Sequence, residues 1–573
     1  MAEPLFDNTV PVGEALVAAM ADAGIDAVVG IPGGLTGPIW KALHNHPTIR
    51  ALLVREESLG SYLAEAYGRL TGRPIVVMGQ GEWIIGNAAA GYMEALMGSS
   101  PMVIVTEMSD GGALAHHGPY QGGTGDYGNW DARKALEGFT KRVIVAHHPA
   151  QAVQQLQLAI KHATTGDPGP VGLILSSAAL KGTVGPEVRP RVYSSRGYLS
   201  VQPPALDGAD IEATLEALAQ AAHPVLLAGN GVRVAGACPA LAAAANRLGI
   251  PVVTTAQGKG VFDETHHLAR GVIGAFGWPE ANDTIAQADV IIAIGTKLGT
   301  IDTIDENDAL IDPRRQRIFQ VDVEPLNVGW TTPVERAILA DAGAFLRALA
   351  DAPSRSVRAD VVGPASPLET DDPISPSVVP PFPPQTTIGL LNRLLPANSI
   401  VTCDAGENRL FMMRWFRNRR PGGYLQPASG GGMGHAVPAA LGAKLVYPGE
   451  PVIAVCGDGG FSMALHGLMS ARELDLPIGV VVLNNQALGW VLHGMGSKAV
   501  AAEFADFDYA SIARAMGCDG VRPQSFAALE EAIASLADLR RPLVIDAPTG
   551  MATTFRDILD PIDQRRSNSG YVE

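Results

Sequence analysis

The sequence has few cysteines, and they lie far apart. Four occur among 573 residues, and no two of them form a C-x-x-C pair. Small disulfide-stabilised and zinc-binding domains depend on closely spaced cysteines, so neither class fits this chain. Widely spaced cysteines are typical of a reducing compartment, and we therefore expect a cytoplasmic protein. The four are Cys238, Cys403, Cys456 and Cys518.

The sequence also lacks an excess of positive charge. It has 42 Lys and Arg residues and 58 Asp and Glu residues, which gives a net charge of −16. We therefore expect no nucleic-acid partner and no anionic membrane partner. No apolar run reaches the roughly 18 residues of a membrane span. Residues 1–7 lack the basic and apolar regions of an export signal.

Strand-like and helix-like segments alternate along most of the chain, which predicts an α/β protein with doubly wound parallel sheets. At ~100–200 residues per domain, the length indicates three or four domains. We expect an N-terminal unit at 1–185, a middle unit at 205–350 and a C-terminal unit at 386–557. Residues 351–385 are rich in proline and predict a linker, and 558–573 form a tail. In the first unit the predicted strands are 27–31, 49–54, 74–78, 102–106 and 172–175.

The stretch from Cys456 to Asn485 organises the third unit. A short apolar run at 451–455 predicts a strand buried on both faces, with Asp458 at its carboxyl end. A second predicted strand at 478–483 brings Asn485 to the same edge of the sheet. One carboxylate, one amide oxygen and the nearby Ala487 carbonyl are hard oxygen ligands that suit Mg²⁺. Glycines beside Asp458 let backbone N–H groups approach the phosphates of a ligand.

Gly457-Asp458-Gly459, followed about two dozen residues later by Asn484-Asn485, resembles the thiamin-diphosphate motif. The resemblance implies that Asp458, Asn485 and Ala487 hold the metal that carries the diphosphate, with Gly457, Gly459 and Gly460 beside it. A coincidental turn followed by a polar strand end is the alternative interpretation.

The first unit resembles acetohydroxyacid synthases and their relatives. It has their P-G-G loop at 30–34, an Arg-x-Glu sequence before a helix, and Ala64-Glu-Ala-Tyr-Gly-Arg-Leu-Thr-Gly72. The resemblance implies that Glu57 is the catalytic glutamate, which exchanges a proton with the aminopyrimidine ring of the cofactor. Glu56 then occupies the position that is His in the synthases. We expect it to have a structural role, so that it can serve as the control for Glu57. Gly33 and Asn87 are the further cofactor-binding residues that it implies in this unit.

Two segments of the third unit extend the resemblance. Gly432-Met433-Gly434-His435 matches the segment in which a Met supports the bent cofactor, although a Met at a helix entry is also ordinary core. The loop 404–408 follows a predicted strand and resembles the diphosphate-side loop, although it also fits a helix cap. The cofactor-binding residues predicted here are Met433, Asp404, Gly406, Glu407 and Asn408.

The substrate pocket departs from the synthase pattern. Glu82 and Trp83 stand where the synthases have a Ser-Gly-Pro-Gly loop. The segment 127–131 lacks the active-site Gln of the synthases, and the segment after Asn485 lacks their pocket Trp. We place Glu82, Trp83, His116, His117, Trp490 and His493 at this pocket. His116 and His117 are similar to the adjacent histidines of pyruvate-decarboxylase-type enzymes. The flavin-contacting Arg of the synthases is not evident, so we expect the middle unit to lack bound FAD.

We expect an enzyme that depends on thiamin diphosphate and Mg²⁺ and makes or breaks a C–C bond next to a carbonyl. Carboligation after decarboxylation of a 2-oxo acid, onto an aldehyde or ketone acceptor, is the preferred interpretation. Simple 2-oxo acid decarboxylation or cleavage remains open, as does a non-catalytic regulatory paralogue. A nucleotide-binding oxidoreductase built on the glycines of the middle unit ranks low, because that unit has no G-x-G-x-x-G sequence that opens a helix with a suitably placed acid. The resemblance further implies a homodimer or homotetramer, with Glu57 and Asp458 of different subunits at one site.

Overall fold

Three sheets of six parallel strands dominate the computed structural model, which describes residues 3–109, 122–126, 128–352, 379–560 and 562. Each sheet has helices between its strands, so the prediction of three doubly wound α/β units is confirmed. None of the helices in the described ranges has the length and apolar character that a bilayer span requires. The bounds predicted for the units and for the linker stay a prediction.

The first sheet has the strand order β3-β2-β4-β5-β7-β6. Its strands are β2 (Ala27–Gly30), β3 (Arg50–Leu53), β4 (Val76–Met78), β5 (Met102–Met108), β6 (Arg142–Ala146) and β7 (Pro170–Ser176). Two short strands, β1 (Val10–Pro11) and β8 (Thr183–Val184), pair beside it. The helices are α1 (Val12–Asp22), α2 (Gly37–Ala42), α3 (Glu57–Thr71), α4 (Gly81–Gly86), α5 (Ala89–Met97), α6 (Ala132–Glu137), α7 (Pro149–Thr164) and α8 (Arg196–Leu199).

The middle sheet has the order β11-β10-β9-β12-β13-β14, the order of dinucleotide-binding folds. Its strands are β9 (Pro224–Ala228), β10 (Val252–Thr254), β11 (Ala269–Val272), β12 (Val290–Ile294), β13 (Arg317–Asp322) and β14 (Arg336–Leu339). The helices are α9 (Gly208–Gln220), α10 (Asn230–Val234), α11 (Cys238–Leu248), α12 (Pro279–Gln287), α13 (Thr300–Thr303) and α14 (Ala342–Asp351).

The third sheet has the order β16-β15-β17-β18-β20-β19. Its strands are β15 (Ile400–Cys403), β16 (Tyr424–Leu425), β17 (Val452–Gly457), β18 (Gly479–Asn484), β19 (Asp519–Val521) and β20 (Leu543–Pro548). The helices are α15 (Pro384–Leu394), α16 (Glu407–Trp415), α17 (Ala436–Val446), α18 (Asp458–Ala464), α19 (Gly467–Glu473), α20 (Gly489–Met495), α21 (Tyr509–Ala515) and α22 (Phe526–Ala534).

The first and third sheets share one connectivity. When the strands of each are renumbered in chain order, both read 2-1-3-4-6-5. The strand order reverses between β2 and β4 in the first unit and between β15 and β17 in the third. Open parallel sheets bind ligands at such a switch point, outside the carboxyl ends of the strands. The loops after these four strands are therefore the places where ligands are expected.

A buried ionic cluster joins the first and third units within one chain. Glu65 on α3 pairs with Arg69 on the same helix at 2.6 Å and with His435 Nε2 at 3.1 Å. The other ring nitrogen of His435 lies 3.2 Å from the Cys403 carbonyl, so both nitrogens face acceptors. Arg69 and the hydrogen bond with His435 lower the pKa of Glu65 to about 2 against the opposing effect of burial. The cluster fixes α3 against the loop that leads into α17.

Candidate active site

A cavity of about 370 Å³ lies at the switch point of the third sheet. All of the residues that form its wall lie between 384 and 553, so it belongs to the third unit alone. The predicted site residues that line it are Gly406, Glu407, Asn408, Met433, Gly457, Asp458, Gly459, Gly460, Asn485, Ala487 and Trp490. The sequence motifs therefore converge on one concave surface.

Asp458 is the first residue of α18 and is 2% exposed. Its carboxylate accepts a hydrogen bond from Gly459 N at 2.9 Å and others from the backbone N–H groups of Gln486 and Ala487. Burial outweighs these bonds and raises the pKa of Asp458 to about 6. A buried carboxylate of this kind is stabilised by a nearby cation.

Asn485 follows β18 and bends back towards Asp458. Its Oδ1 accepts a hydrogen bond from Ala487 N at 3.1 Å, and Gln486 between them has a φ of 58°. The turn therefore presents one amide oxygen and the backbone of Ala487 beside one carboxylate. In the described part of the chain, no group of three His, Cys, Asp or Glu side chains could hold a metal ion. The donor set fits a hard cation that takes further oxygen ligands from a phosphate.

Gly459 and Gly460, which follow Asp458, leave little room for side chains. A Cβ on Gly460 would lie 2.6 Å from Asp404 Oδ1, and one on Gly459 would lie 3.0 Å from Leu488 Cδ2 and 3.2 Å from Met433 Cε. The first distance is shorter than Cβ contacts allow. Backbone N–H groups can therefore approach a ligand closely at this helix start, where the helix dipole favours negative charge.

Asp404 is buried and is not part of the cavity wall. Its carboxylate accepts hydrogen bonds from Ala405 N at 2.9 Å, Gly434 N at 2.9 Å and Ala436 N at 2.8 Å. Asp404 therefore holds the loop that presents Met433 to the cavity. Glu94 of the first unit supports the same loop, because its Oε1 accepts a hydrogen bond from Gly432 N at 2.7 Å.

In the outer wall of the cavity, Glu407 links its own helix α16 to the segments that carry His493 and Phe555. Its Oε1 lies 2.7 Å from His493 Nδ1 and accepts a hydrogen bond from Phe555 N at 2.9 Å. His493 Nε2 lies 3.2 Å from the Met551 carbonyl, so His493 supports the wall from behind. Trp490 is 41% exposed, and its ring centroid lies 5.8 Å from that of Phe276. Trp490 is therefore a wall residue and not part of the core.

Glu57 lies on the first unit, outside this cavity. It is the first residue of α3 and is 8% exposed, and its Oε2 accepts a hydrogen bond from Asn87 Nδ2 at 3.0 Å. The neighbouring Glu56 is the N-cap of α3, because its Oε2 accepts a hydrogen bond from Ser58 N at 2.8 Å. The two carboxylates thus have different partners, and Glu56 has a capping role.

The other residues predicted on the first unit lie near its switch point. A Cβ on Gly33 would meet Gln80 Oε1 at 2.7 Å, which brings the loops after β2 and β4 together. Trp83 on α4 is 49% exposed, whereas Glu82 Oε2 is buried without a hydrogen-bond partner among the described residues. His116 and His117 lie outside the described residues.

Three models of thiamine pyrophosphate enzymes match the chain in its own order. The N-terminal TPP binding domain matches residues 10–124, the central domain matches 211–349, and the C-terminal TPP binding domain matches 404–547. The chain belongs to the thiamine pyrophosphate enzymes.

Curated relatives cover nearly all of this thiamine pyrophosphate enzyme. It is 29% identical to the acetolactate synthase large subunit of Parasynechococcus marenigrum, over 94% of this chain and 87% of the relative. It is 29% identical to the acetolactate synthase isozyme 3 large subunit of Escherichia coli, over 83% of each chain. It is also 29% identical to a probable 2-ketoarginine decarboxylase of Pseudomonas aeruginosa, over 91% of each chain. It is therefore a thiamin-diphosphate-dependent enzyme that performs carboligation or decarboxylation, and it is similar to the acetolactate synthases.

A second cavity of this thiamine pyrophosphate enzyme, of about 560 Å³, lies at the switch point of the middle unit and is also lined by residues of the first unit. Gly231 and Gly295 line it. Lys297, also in the wall, forms an ion pair with Asp167 of the first unit at 3.1 Å. That this unit binds no FAD stays a prediction.

Sequence reasoning missed Glu107 and Arg409. Glu107 is the penultimate residue of the apolar strand β5 and is 3% exposed, and its carboxylate accepts hydrogen bonds from the backbone N–H groups of Leu35 and Gly81. Burial raises the pKa of Glu107 to about 7. Glu107 holds the loops after β2 and β4 together, and its position at a strand end beside two glycine loops is the signal that could have found it. Arg409 follows the predicted Glu407 and Asn408 directly and also lines the cavity of the third unit.

Proposed function

We propose that this chain is a carboligase that requires thiamin diphosphate and Mg²⁺, decarboxylates a 2-oxo acid and joins the remaining fragment to a second carbonyl compound. The observation that carries this proposal is the buried carboxylate of Asp458, whose pKa is raised. It lies beside Asn485 and beside Gly457, Gly459 and Gly460, which we call the glycine cradle. The family models support the cofactor, and the names of the relatives support a 2-oxo acid as substrate.

Asp458, the amide oxygen of Asn485 and the backbone carbonyl of Ala487 would hold the metal. The donor set supports Mg²⁺, which binds oxygen ligands and completes its shell with phosphate and water. Asn408 and the backbone of Gly406 and Gly457 to Gly460 would bind the diphosphate. When bound, thiamin diphosphate supplies a carbon nucleophile for the substrate carbonyl and accepts the electron pair that remains when CO₂ leaves.

Glu57 would exchange a proton with the aminopyrimidine ring. A largely buried carboxyl group that is oriented by one hydrogen bond is suited to this task, and Asn87 provides that bond to Oε2. Met433 would support the cofactor from the loop that Asp404 and Glu94 hold. His493 and Glu407 would keep the outer wall in place.

Two copies of the chain would be needed for one site. Glu57 does not line the cavity that contains Asp458, although the cofactor must reach both residues. We therefore infer a homodimer, or a tetramer built from such dimers, in which Glu57 of one subunit faces the cavity of the other.

Carboligation requires a second carbonyl substrate as acceptor, whereas simple decarboxylation does not. The acetolactate synthase relatives favour the first outcome, and the probable 2-ketoarginine decarboxylase keeps the second as an alternative. Mass spectrometry of the products from a panel of 2-oxo acids, with and without aldehyde acceptors and with both cofactors, separates them. We expect products that contain the decarboxylated donor joined to an acceptor, and none with Asp458→Ala. Release of free aldehydes alone would identify a decarboxylase.

A further inference from the structure

Two buried carboxyl oxygens lie without a partner at the switch point of the first unit. Glu107 is the penultimate residue of β5 and is 3% exposed, and Glu82 is the second residue of α4. The Oε2 atom of each side chain is buried and has no hydrogen-bond partner in the described part of the chain. A buried carboxylate oxygen without a donor costs free energy, so these two oxygens require a further interaction.

The two carboxyl groups are neighbours. The carboxylate of Glu107 accepts a hydrogen bond from the backbone N–H of Gly81, which precedes Glu82 in the chain. Thr106, next to Glu107, donates from Oγ1 to the Gly79 carbonyl at 3.2 Å, so the end of β5 is bound to the same loop. Burial and the charge of Glu82 both raise the pKa of Glu107, to about 7. Two carboxylates that lie this close repel each other, and one proton between them removes the repulsion.

The elements around Glu107 offer no cation in its place. The loops 31–36 and 79–81 contain no titratable residue, and neither do β4 and β7, the strands on either side of β5. The helix α4 contributes Glu82 as its only titratable residue. A Cβ on Gly34 would overlap Glu107 Oε1, so the P-G-G loop lies directly against the carboxyl group. A proton is therefore the cation that these surroundings can hold.

The pair lies where the loops of the first unit meet α4. The backbone N–H of Leu35, directly after the P-G-G loop, donates to the carboxylate of Glu107. Glu82 is in the first turn of α4, and Asn87 is the C-cap of the same helix. Asn87 Nδ2 donates to Glu57 Oε2 at 3.0 Å. Because α4 is one short helix, a shift at its start would also shift the residue that orients Glu57.

Resting on the roles proposed for Glu57 and the P-G-G loop, we infer that Glu82 and Glu107 share one proton and thereby position the pyrimidine side of the cofactor site. The carboxyl O–H of Glu107 donates to Glu82 Oε2 and joins the end of β5 to the start of α4. Glu82 and Glu107 are then positioning residues, which act through Asn87 and Glu57. When the proton leaves to solvent, two repelling carboxylates remain and this edge of the sheet loosens.

The sign of the pH dependence follows from the raised pKa of Glu107. The folded protein holds this proton more tightly than a free glutamate does. The stability that the proton contributes is therefore complete below the usual pKa of a glutamate and is lost as the pH rises through about 7. We expect the pyrimidine side to be well positioned at pH 6 and poorly positioned at pH 8.

The binding of thiamin diphosphate at two pH values tests this inference on the intact enzyme with saturating Mg²⁺. If the protonated pair alone holds the loops, the competent fraction falls from about nine-tenths at pH 6 to about one-tenth at pH 8. The Kd of the native enzyme, divided by the Kd of Glu107→Gln at the same pH, should therefore rise roughly tenfold between these values. Taking the ratio cancels the titration of Asp458, which both proteins share. Calorimetry measures each Kd.

Glutamine supplies a permanent N–H donor in place of the shared proton. Glu107→Gln should therefore bind thiamin diphosphate at pH 8 more tightly than the native enzyme does. Glu82→Gln should give the same gain, because Gln then donates to the carboxylate of Glu107. Glu107→Ala has no donor and should bind more weakly at both pH values. Glu137→Gln is the matched control, since it changes an exposed carboxylate of the same unit that pairs with Arg133, and it should keep the native pH profile.

Infrared difference spectroscopy of the native enzyme without cofactor provides a second measurement, which holds even if the variants do not fold. A protonated carboxyl group that titrates near pH 7 should be visible, and its band should disappear between pH 6 and pH 8. The absence of such a group would overturn the inference.

The alternatives give different results. The same pH profile in the native enzyme and Glu107→Gln, or weaker binding by both Gln variants at pH 8, would overturn the shared proton. A metal ion between the two carboxylates would also overturn it, and added K⁺ or Mg²⁺ would then raise the Tm of the native enzyme without cofactor but not that of Glu107→Gln. The proposed function fails separately, because then no joined product forms, whereas the pH profile of cofactor binding can still be measured.

Discussion

Glu56 and Glu57 are adjacent carboxylates with different surroundings. Glu56 caps α3 through Ser58 N, whereas Glu57 is buried and bound by Asn87. Their order along the chain is visible in the sequence, but only the resemblance separated the proton-exchanging residue from the cap. In the structure, Glu56 has its Oε2 engaged by the backbone N–H of Ser58, as a capping carboxylate does.

Glu57→Gln keeps the shape of the side chain and its contact with Asn87 but removes the exchangeable proton. We expect the variant to retain thiamin diphosphate, while hydrogen exchange at the cofactor C2 carbon slows by ~10²–10⁴-fold. NMR measures this exchange directly. Glu56→Gln is the matched control and should change the exchange rate much less. If Glu56→Gln proves the more damaging change, the assignment of the two residues is reversed.

Asp404 shows where prediction from single residues ends. The sequence places it correctly at the end of β15, next to residues that line the cavity. Its carboxylate nevertheless turns towards the N–H groups of Gly434 and Ala436, some 30 positions further along the chain. Such a long-range hydrogen bond depends on how two loops pack and leaves no local pattern. Arg409 escaped prediction for the same reason.

At the scale of elements, buried strands were the most predictable feature. The predicted strands at 74–78 and 478–483 became β4 and β18, whose residues are all buried. The strand β6 (Arg142–Ala146) was missed, because it lies at the edge of its sheet and exposes part of its length. The strand β19 (Asp519–Val521) is another short edge strand without an apolar run. Burial on both faces produces the pattern that sequence reasoning detects, and edge strands lack it.

The helix α20 carries Trp490 in the cavity wall and His493 behind it. Trp490→Ala should enlarge the cavity. We expect it to change the preference between two acceptors by ~1–3 kcal/mol, the usual discrimination from reshaping an apolar pocket. A competition assay with two acceptors, run beside thermal melts, measures both effects. Because Trp490 is 41% exposed, we expect only a small change in Tm.

Trp330, which is 62% exposed on the middle unit, provides the control. Trp330→Ala should leave the product ratio unchanged. A lower Tm with an unchanged product ratio in Trp490→Ala would exclude Trp490 from acceptor selection.

At the scale of the whole molecule, two sheets of identical strand order each present a switch point to a ligand. In the third unit this edge forms the Asp458 cavity, and in the first unit it carries the P-G-G loop, with Glu57 at the start of α3. Within one chain the units are fixed by the Glu65, Arg69 and His435 cluster, which leaves Glu57 outside the cavity. The sequence alone could indicate the ligand-binding edge of the first sheet and that of the third. It could not show that the two edges lie apart within one chain, because this depends on how the units pack.

The central claim is that one active site combines Glu57 of one subunit with Asp458 of another. Subunit complementation tests it most directly. Glu57→Gln and Asp458→Ala chains with different affinity tags are produced together, and the mixed dimer is purified through both tags. One of its two sites then has both native residues, so we expect about half of the wild-type carboligation rate, while each variant alone is nearly inactive. A mixed dimer as inactive as its parents would show that both residues must come from the same chain, and would contradict the account.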